Sequence, residues 1–272
     1  MAQWTAQVRS KGWRTGFVPT MGALHAGHLS LLERALQENE RVVCSIFVNP
    51  LQFNNAADLA HYPRQLEQDR ELLERAGCHA LFVPEEADIF AGFTPRPYAI
   101  GDLNDLLEGP LRPGHFQGML NVVERLFFHV RPESAYFGEK DRQQLAIIRR
   151  TAAALRWPER IVGCPTRREE DGLAMSSRNQ RLGPEDRQRA TVLFRALSAA
   201  AEAAFERSVG EAQRSAEKVL AQEPTVVVDY FSIAHPDTLA PLDSWEGLEE
   251  AVALVAAQVG PVRLIDNMTL RR

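Results

Sequence analysis

The 272-residue chain has 45% hydrophobic and 25% charged residues, the mixture of a globular protein long enough for one large core or two modest ones. A formal charge of -5 and a pI near 5.9 exclude wholesale binding to a polyanion, so no nucleic-acid partner is expected, although local basic clusters could still hold phosphates. Cys44, Cys78 and Cys164 are odd in number, far apart and without a C-x-x-C pair, the first ten residues hold no apolar leader, and no run of about 18 apolar residues occurs; a reduced, cytoplasmic chain with no membrane span is expected.

From about residue 15 to 166, short β-branched runs alternate with stretches of helical period, the pattern of a parallel α/β layer. Strands are predicted at 16–19, 42–48, 80–83, 135–137 and 161–164, and helices at 27–37, 63–76, 118–130 and 141–155. Pro63 suits a first helical turn and Gly77 a helix end. Residues 90–116 interrupt the alternation with Pro95, Pro97, Pro110 and Pro113 and read as an irregular excursion, a kind of loop that is often functional. Beyond 166 an Arg/Glu-rich stretch leads to helical patterns over 184–222 and to strands near 226–233, 252–259 and 262–265. The fold class expected is α/β: a Rossmann-like parallel sheet flanked by helices in a domain of residues 1–166, with a smaller α+β domain at 167–272.

The sharpest chemical feature is Pro19-Thr20-Met21-Gly22-Ala23-Leu24-His25-Ala26-Gly27-His28, placed after the first strand and opening the first helix of the layer. Gly22 and Gly27 allow a ligand close to the backbone, and the helix start favours a phosphate. His25 and His28, three apart, share one helical face and could donate to phosphate oxygens; helix capping, packing or zinc ligation are the alternatives for such a pair. A second strand end carries Gly138-Glu139-Lys140-Asp141, with Lys140 one of only three lysines, the others being Lys11 and Lys218; its bland alternative is a solvated turn. Met175-Ser176-Ser177-Arg178-Asn179 brings two hydroxyls and a guanidinium together, and Phe47-Val48-Asn49-Pro50-Leu51-Gln52-Phe53 puts an amide, Gln52, after the second strand.

The H-x-G-H arrangement resembles the signature of the nucleotidylyltransferase superfamily. P-T-M-G-A-L-H-x-G-H, F-V-N-P-x-Q-F, Y-P-R, Y-F-G-E-K-D-x-Q-Q-L and R-E-x-D-G-L-A-x-S-S-R-N follow one another between positions 19 and 179, and jointly they resemble the pantothenate synthetase (pantoate–β-alanine ligase) family. The resemblance implies an enzyme that takes ATP with Mg2+, pantoate and β-alanine, passes through a pantoyl adenylate, and works as a homodimer. It implies that Met21 to His28, Gly138, Glu139, Lys140, Asp141, Arg167, Met175, Ser176, Ser177 and Arg178 bind ATP, with His25, His28, Lys140 and Arg178 catalytic and His28 the proton donor. Gln52 and Gln144 would hold pantoate and Asp69 would help hold magnesium. Residues 167–272 would act as a lid hinged near 166–172. Two departures stand out: the chain begins close to its first strand, which abbreviates the family's first helix, and Arg167 replaces a frequent valine at a position expected to meet adenine through its backbone.

Overall fold

The computed structural model describes all residues, Met1–Arg272, and divides them into two compact units: Met1–Glu139 with Gln144–Pro165, and Lys140–Gln143 with Thr166–Arg272. Residues 140–143, read from sequence as part of the first domain, thus belong to the second unit.

The first unit holds strands β1 (Thr15–Thr20), β2 (Arg41–Ile46), β3 (Ala80–Phe82), β4 (Ser134–Gly138) and β5 (Arg160–Cys164), all parallel in the order β3-β2-β1-β4-β5. Its helices are α1 (Ala2–Ser10), α2 (Ala26–Glu38), α3 (Ala56–Ala60), α4 (Leu66–Arg75), α5 (Glu86–Phe90), α6 (Glu108–Leu111) and α7 (His115–Val130); α8 (Arg142–Leu155) starts in the second unit and runs on through the first. The period of two explains how the sheet is covered on both sides. Val18, Val42, Cys44 and Tyr136 pack with Leu31, Leu32 and Ala35 of α2, whereas Phe17 meets Phe127 of α7 edge-on at 6.3 Å. Each fully buried leucine of α2 contributes about 1.5–3 kcal/mol. Beneath α2, the Tyr136 hydroxyl donates to Glu38 at 2.8 Å and accepts from Asn39 Nδ2 at 2.7 Å; Gly16 is needed there because a Cβ would lie 2.6 Å from that Nδ2. Arg160, Arg34 and Tyr136 together hold the Glu38 carboxyl down at about 2.

The predicted helix at 63–76 begins later, at Leu66, because residues 63–65 are not helical and Gln65 is the N-cap; it ends before Gly77, whose φ of +79° suits glycine. Helix α7 begins three residues earlier than its period suggested, after Gly114 turns the chain with φ +79°. The excursion at 90–116 contains a 3-10 turn, Gly101–Asn104, and α6, and it is stitched to α7 by side-chain amides. Asn121 accepts from the Arg96 N–H at 2.9 Å and donates to its carbonyl at 3.0 Å, and Gln117 does the same to Tyr98 at 2.8 and 3.0 Å.

In the second unit, α9 (Pro184–Arg189), α10 (Thr191–Ala203) and α11 (Val209–Leu220) resolve the helical stretch. They accompany an antiparallel sheet of β6 (Val226–Ala234), β7 (Glu250–Val259) and β8 (Val262–Arg271), in that order. Its core joins Leu193, Leu197 and Ala216 to Val255 and Leu264. Strand β8 runs six residues beyond its predicted end, past the polar pair Asp266-Asn267 that breaks the apolar pattern. No helix is long and apolar enough to cross a membrane.

Candidate active site

In the first unit the strand order reverses between β1 and β4, and the crevice outside the carboxyl ends of strands at such a reversal is where open α/β sheets take ligands. Both strands end in the segments singled out from sequence. After β1 the Thr20 hydroxyl donates to the Ser45 carbonyl of β2 at 2.7 Å and accepts the Gly22 N–H at 3.1 Å, which starts the turn. Gly22 (φ +78°) and Ala23 (φ +51°) are both left-handed, a conformation costly for alanine that persists only where the surroundings enforce it. Asp69 enforces it. Its carboxylate, 1% exposed, accepts the N–H of Ala23 and of Leu24 at 2.8 Å each. A Cβ at position 22 would lie 3.0 Å from the same carboxylate, so glycine is what fits there.

The turn delivers His25 as the N-cap of α2, with extended backbone (φ -141°, ψ 175°). Its Nδ1 accepts the Gly27 N–H at 3.1 Å, and His28 Nδ1 accepts the His25 N–H at 3.4 Å, a reciprocal capping box built from two imidazoles. The rings lie 4.1 Å apart. An Nδ1 that accepts carries no proton, so this network assigns both neutral rings the Nε2–H tautomer. Two amides on which a phosphate was expected to rest are therefore bonded to imidazoles, and the donors the pair brings are its Nε2–H groups. The capping alternative weighed from sequence is thus realised, through Nδ1 of each ring.

Met21 and Gln52 are brought together, Gln52 Nε2 lying 3.0 Å from the Met21 sulfur. Asn49, 1% exposed, orders this loop: it caps the 3-10 turn Pro50–Gln52, and its Nδ2 donates to Gln52 Oε1 at 3.1 Å and to the Gly118 carbonyl at 3.0 Å. His115 Nδ1 bonds the Gln52 carbonyl at 2.7 Å. Helix α7 comes so close that a Cβ on Gly118 would lie 2.0 Å from the Leu51 oxygen. At the end of β4 a Cβ on Gly138 would meet nothing within 4 Å, so that glycine leaves open space at the strand end. Gln144, half-buried, lies in the first turn of α8.

Asp69, expected beside magnesium, serves the backbone in this structure. Both of its oxygens bind backbone N–H groups, and no cluster of three His, Cys, Asp or Glu side chains suited to a metal forms anywhere in the chain. The same absence removes zinc as a reading of the two histidines.

In the second unit Lys140 sits in a 3-10 turn, its side chain 18% exposed and its Nζ 4.0 Å from Asp141. Arg167 is exposed, and its carbonyl accepts the Met175 N–H at 3.0 Å, which closes a turn over residues 168–174. Ser176 caps the following 3-10 turn by accepting the Arg178 N–H at 3.3 Å; Ser177 is buried, Arg178 half-buried, and Asn179 Nδ2 holds the Ala174 carbonyl at 3.0 Å. Arg168, Asp266 and Asn267 were missed from sequence. Burial raises the Asp266 carboxyl above its ordinary range while Arg168 pulls against it. The signal that could have found them is a polar pair inside the apolar strand pattern that starts at Val262.

The sequence matches the pantoate-beta-alanine ligase family over residues 1–269. Among relatives, a pantothenate synthetase of Thermus thermophilus is 52% identical over 255 residues, covering 93% of this chain and 92% of the relative. The crystal structure of pantothenate synthetase from that organism has a TM-score of 0.92 at 50% identity, with 97% of this chain and 96% of that one covered. A pantoate-beta-alanine ligase of Francisella tularensis, complexed with beta-gamma ATP and β-alanine, has a TM-score of 0.79 at 35% identity over 98% of this chain and 94% of that one. A match along nearly the whole length means that the chain belongs to the pantoate-β-alanine ligase family.

Proposed function

We propose that the chain condenses pantoate with β-alanine at the expense of ATP, by way of a pantoyl adenylate. A carboxylate oxygen of pantoate attacks the α-phosphorus of ATP and pyrophosphate leaves. The uncharged amine of β-alanine then attacks the acyl carbon, AMP departs with the electron pair of the broken C–O bond, and the amine loses its proton. The observation that carries this reading is the reciprocal imidazole cap at the start of α2, beside the point where the strand order reverses. It fixes two Nε2–H donors in place before substrate arrives, and donors that need no reorganisation are worth most against charge that grows in the transition state.

The residues take the following parts. His28 donates to the phosphate oxygens as pyrophosphate leaves, and His25 supports it. Met21 to Gly27, Gly138, Glu139, Asp141, Arg167, Met175, Ser176 and Ser177 frame the nucleotide, while Lys140 and Arg178 neutralise its phosphates. Gln52 and Gln144 orient pantoate, the first through an amide already anchored by Asn49. Magnesium brought in with the nucleotide would offset phosphate charge; no residue of this chain is assigned to it, since both oxygens of Asp69 already accept backbone N–H groups. An acyl adenylate is hydrolysed readily, which gives residues 167–272 a purpose as a lid. The homodimer implied by the family resemblance belongs to the same proposal; sedimentation at micromolar concentration tests it.

The decisive experiment is isotope exchange of pyrophosphate into ATP. Exchange should require pantoate and proceed without β-alanine. Exchange in the absence of pantoate, or none in its presence, overturns the reading.

A further inference from the structure

Strand β8 places Asp266 and Asn267, only 3% and 6% exposed, opposite the apolar Val255 and Leu254 of β7. Buried polar groups are costly unless each is bonded, so the partners of this pair show what it is for. Asp266 takes both prongs of the Arg168 guanidinium, at 2.6 and 3.1 Å, and also the Asn267 N–H at 2.7 Å. The same guanidinium donates to the carbonyls of Gly172 and Asn267 at 3.0 Å each and lies 4.9 Å from the centre of the Phe194 ring. Gly172, with φ +89°, is pressed against that ring, a Cβ there falling 2.0 Å from Phe194. From the other end of the pair, Asn267 Nδ2 donates to the Lys140 carbonyl at 2.8 Å.

We propose that Asn267 is a positioning residue for Lys140, and that the Arg168–Asp266 pair holds Asn267 and the turn leading to Arg178 in one frame. Lys140 lies in a 3-10 turn of three residues, which has little stiffness of its own. A lysine ammonium is a point charge on a flexible stem, so where it acts depends on where its backbone is fixed. The carboxamide supplies that fixed point 127 residues further along the chain. Two segments read as phosphate-facing, Lys140 and the turn before Arg178, thereby share one anchor on β8. The inference rests on the reading of Lys140 as a phosphate-facing cation.

A double-mutant cycle tests it. Lys140→Ala, Asn267→Ala and the combination are compared by pyrophosphate exchange, with kcat and KM for ATP normalised to folded protein by circular dichroism. Asn267→Ala should lower kcat about tenfold with the fold retained, and in the Lys140→Ala background it should have no further effect. An equal loss in both backgrounds overturns the proposal, because a group that only stabilises the sheet does not act through the lysine. So does full activity of Asn267→Ala. If Lys140→Ala alone retains full exchange, the phosphate-facing reading of Lys140 fails first and takes the inference with it. Should Asn267→Ala not fold, Asn267→Asp, which keeps the shape and cannot donate, decides through the same cycle.

Discussion

Replacing Asp69 separates two roles that a carboxylate in this position could have. The structure gives it two charge-assisted hydrogen bonds, to the N–H groups of Ala23 and Leu24, in an environment that leaves it 1% exposed. Bonds to a charged acceptor contribute about 1.5–3 kcal/mol each, so Asp69→Ala should cost about 3–6 kcal/mol. Asp69→Asn is the sharper probe: its Oδ1 keeps one bond, while its NH2 group faces a second N–H, for a loss of about 1.5–3 kcal/mol. For a unit of this size that lowers Tm by about 3–12 °C, measured by calorimetry. Ala23 would then relax from its left-handed conformation and carry the His25–His28 cap with it. A displacement of about 1 Å at the cap should reduce kcat for pyrophosphate exchange on the order of 100-fold. The magnesium concentration for half-maximal exchange should stay unchanged. A Tm equal to that of the parent protein, together with a raised magnesium requirement, would refute the clamp and restore Asp69 as a metal ligand.

His28→Ala should leave the fold intact and lower exchange by about two orders of magnitude or more, read as kcat at saturating ATP; an unchanged rate would relocate the proton donor. Gly118→Ala drives a methyl group into the Leu51 carbonyl, 2.0 Å away, and should destabilise the first unit by about 1–3 kcal/mol while raising KM for pantoate about tenfold through displacement of Gln52. The Glu38 carboxyl, held at about 2 in the folded protein against an ordinary 4.5, stabilises the fold fully above pH 4.5 and loses that contribution as pH falls toward 2. Glu38→Gln should therefore flatten the pH dependence of Tm across that window, and parallel curves for the two proteins would exclude the linkage.

The strand–glycine–helix order at 19–28 was legible because capping, glycine conformation and the change of period from 2 to 3.6 are short-range effects, written in neighbouring residues. The same local signals located β4 and the glycine at its end. They failed where a neighbour in space overrode a neighbour in sequence. Asp69 reads as one acidic residue in the first turn of an amphipathic helix, and nothing within several residues of it reveals that it clamps a turn 45 residues earlier. Gly118 reads as the first residue of a helix until α7 is found to start at His115 and the Leu51 carbonyl is seen lying against the glycine. Asp266 and Asn267 read as the end of a strand, yet β8 continues through them because Arg168 and the Lys140 carbonyl satisfy their polar atoms.

Sequence alone determined the class of fold, the carboxyl-terminal strand edge at which chemistry is expected, and most of the residue types present there, since each depends on periodicity or on a cap a few residues long. Tertiary structure alone decided that both oxygens of Asp69 are taken up by the backbone and that β8 meets the Lys140 carbonyl. Those outcomes depend on buried polar groups finding partners tens of residues away, and a chain records such pairings only once it has folded.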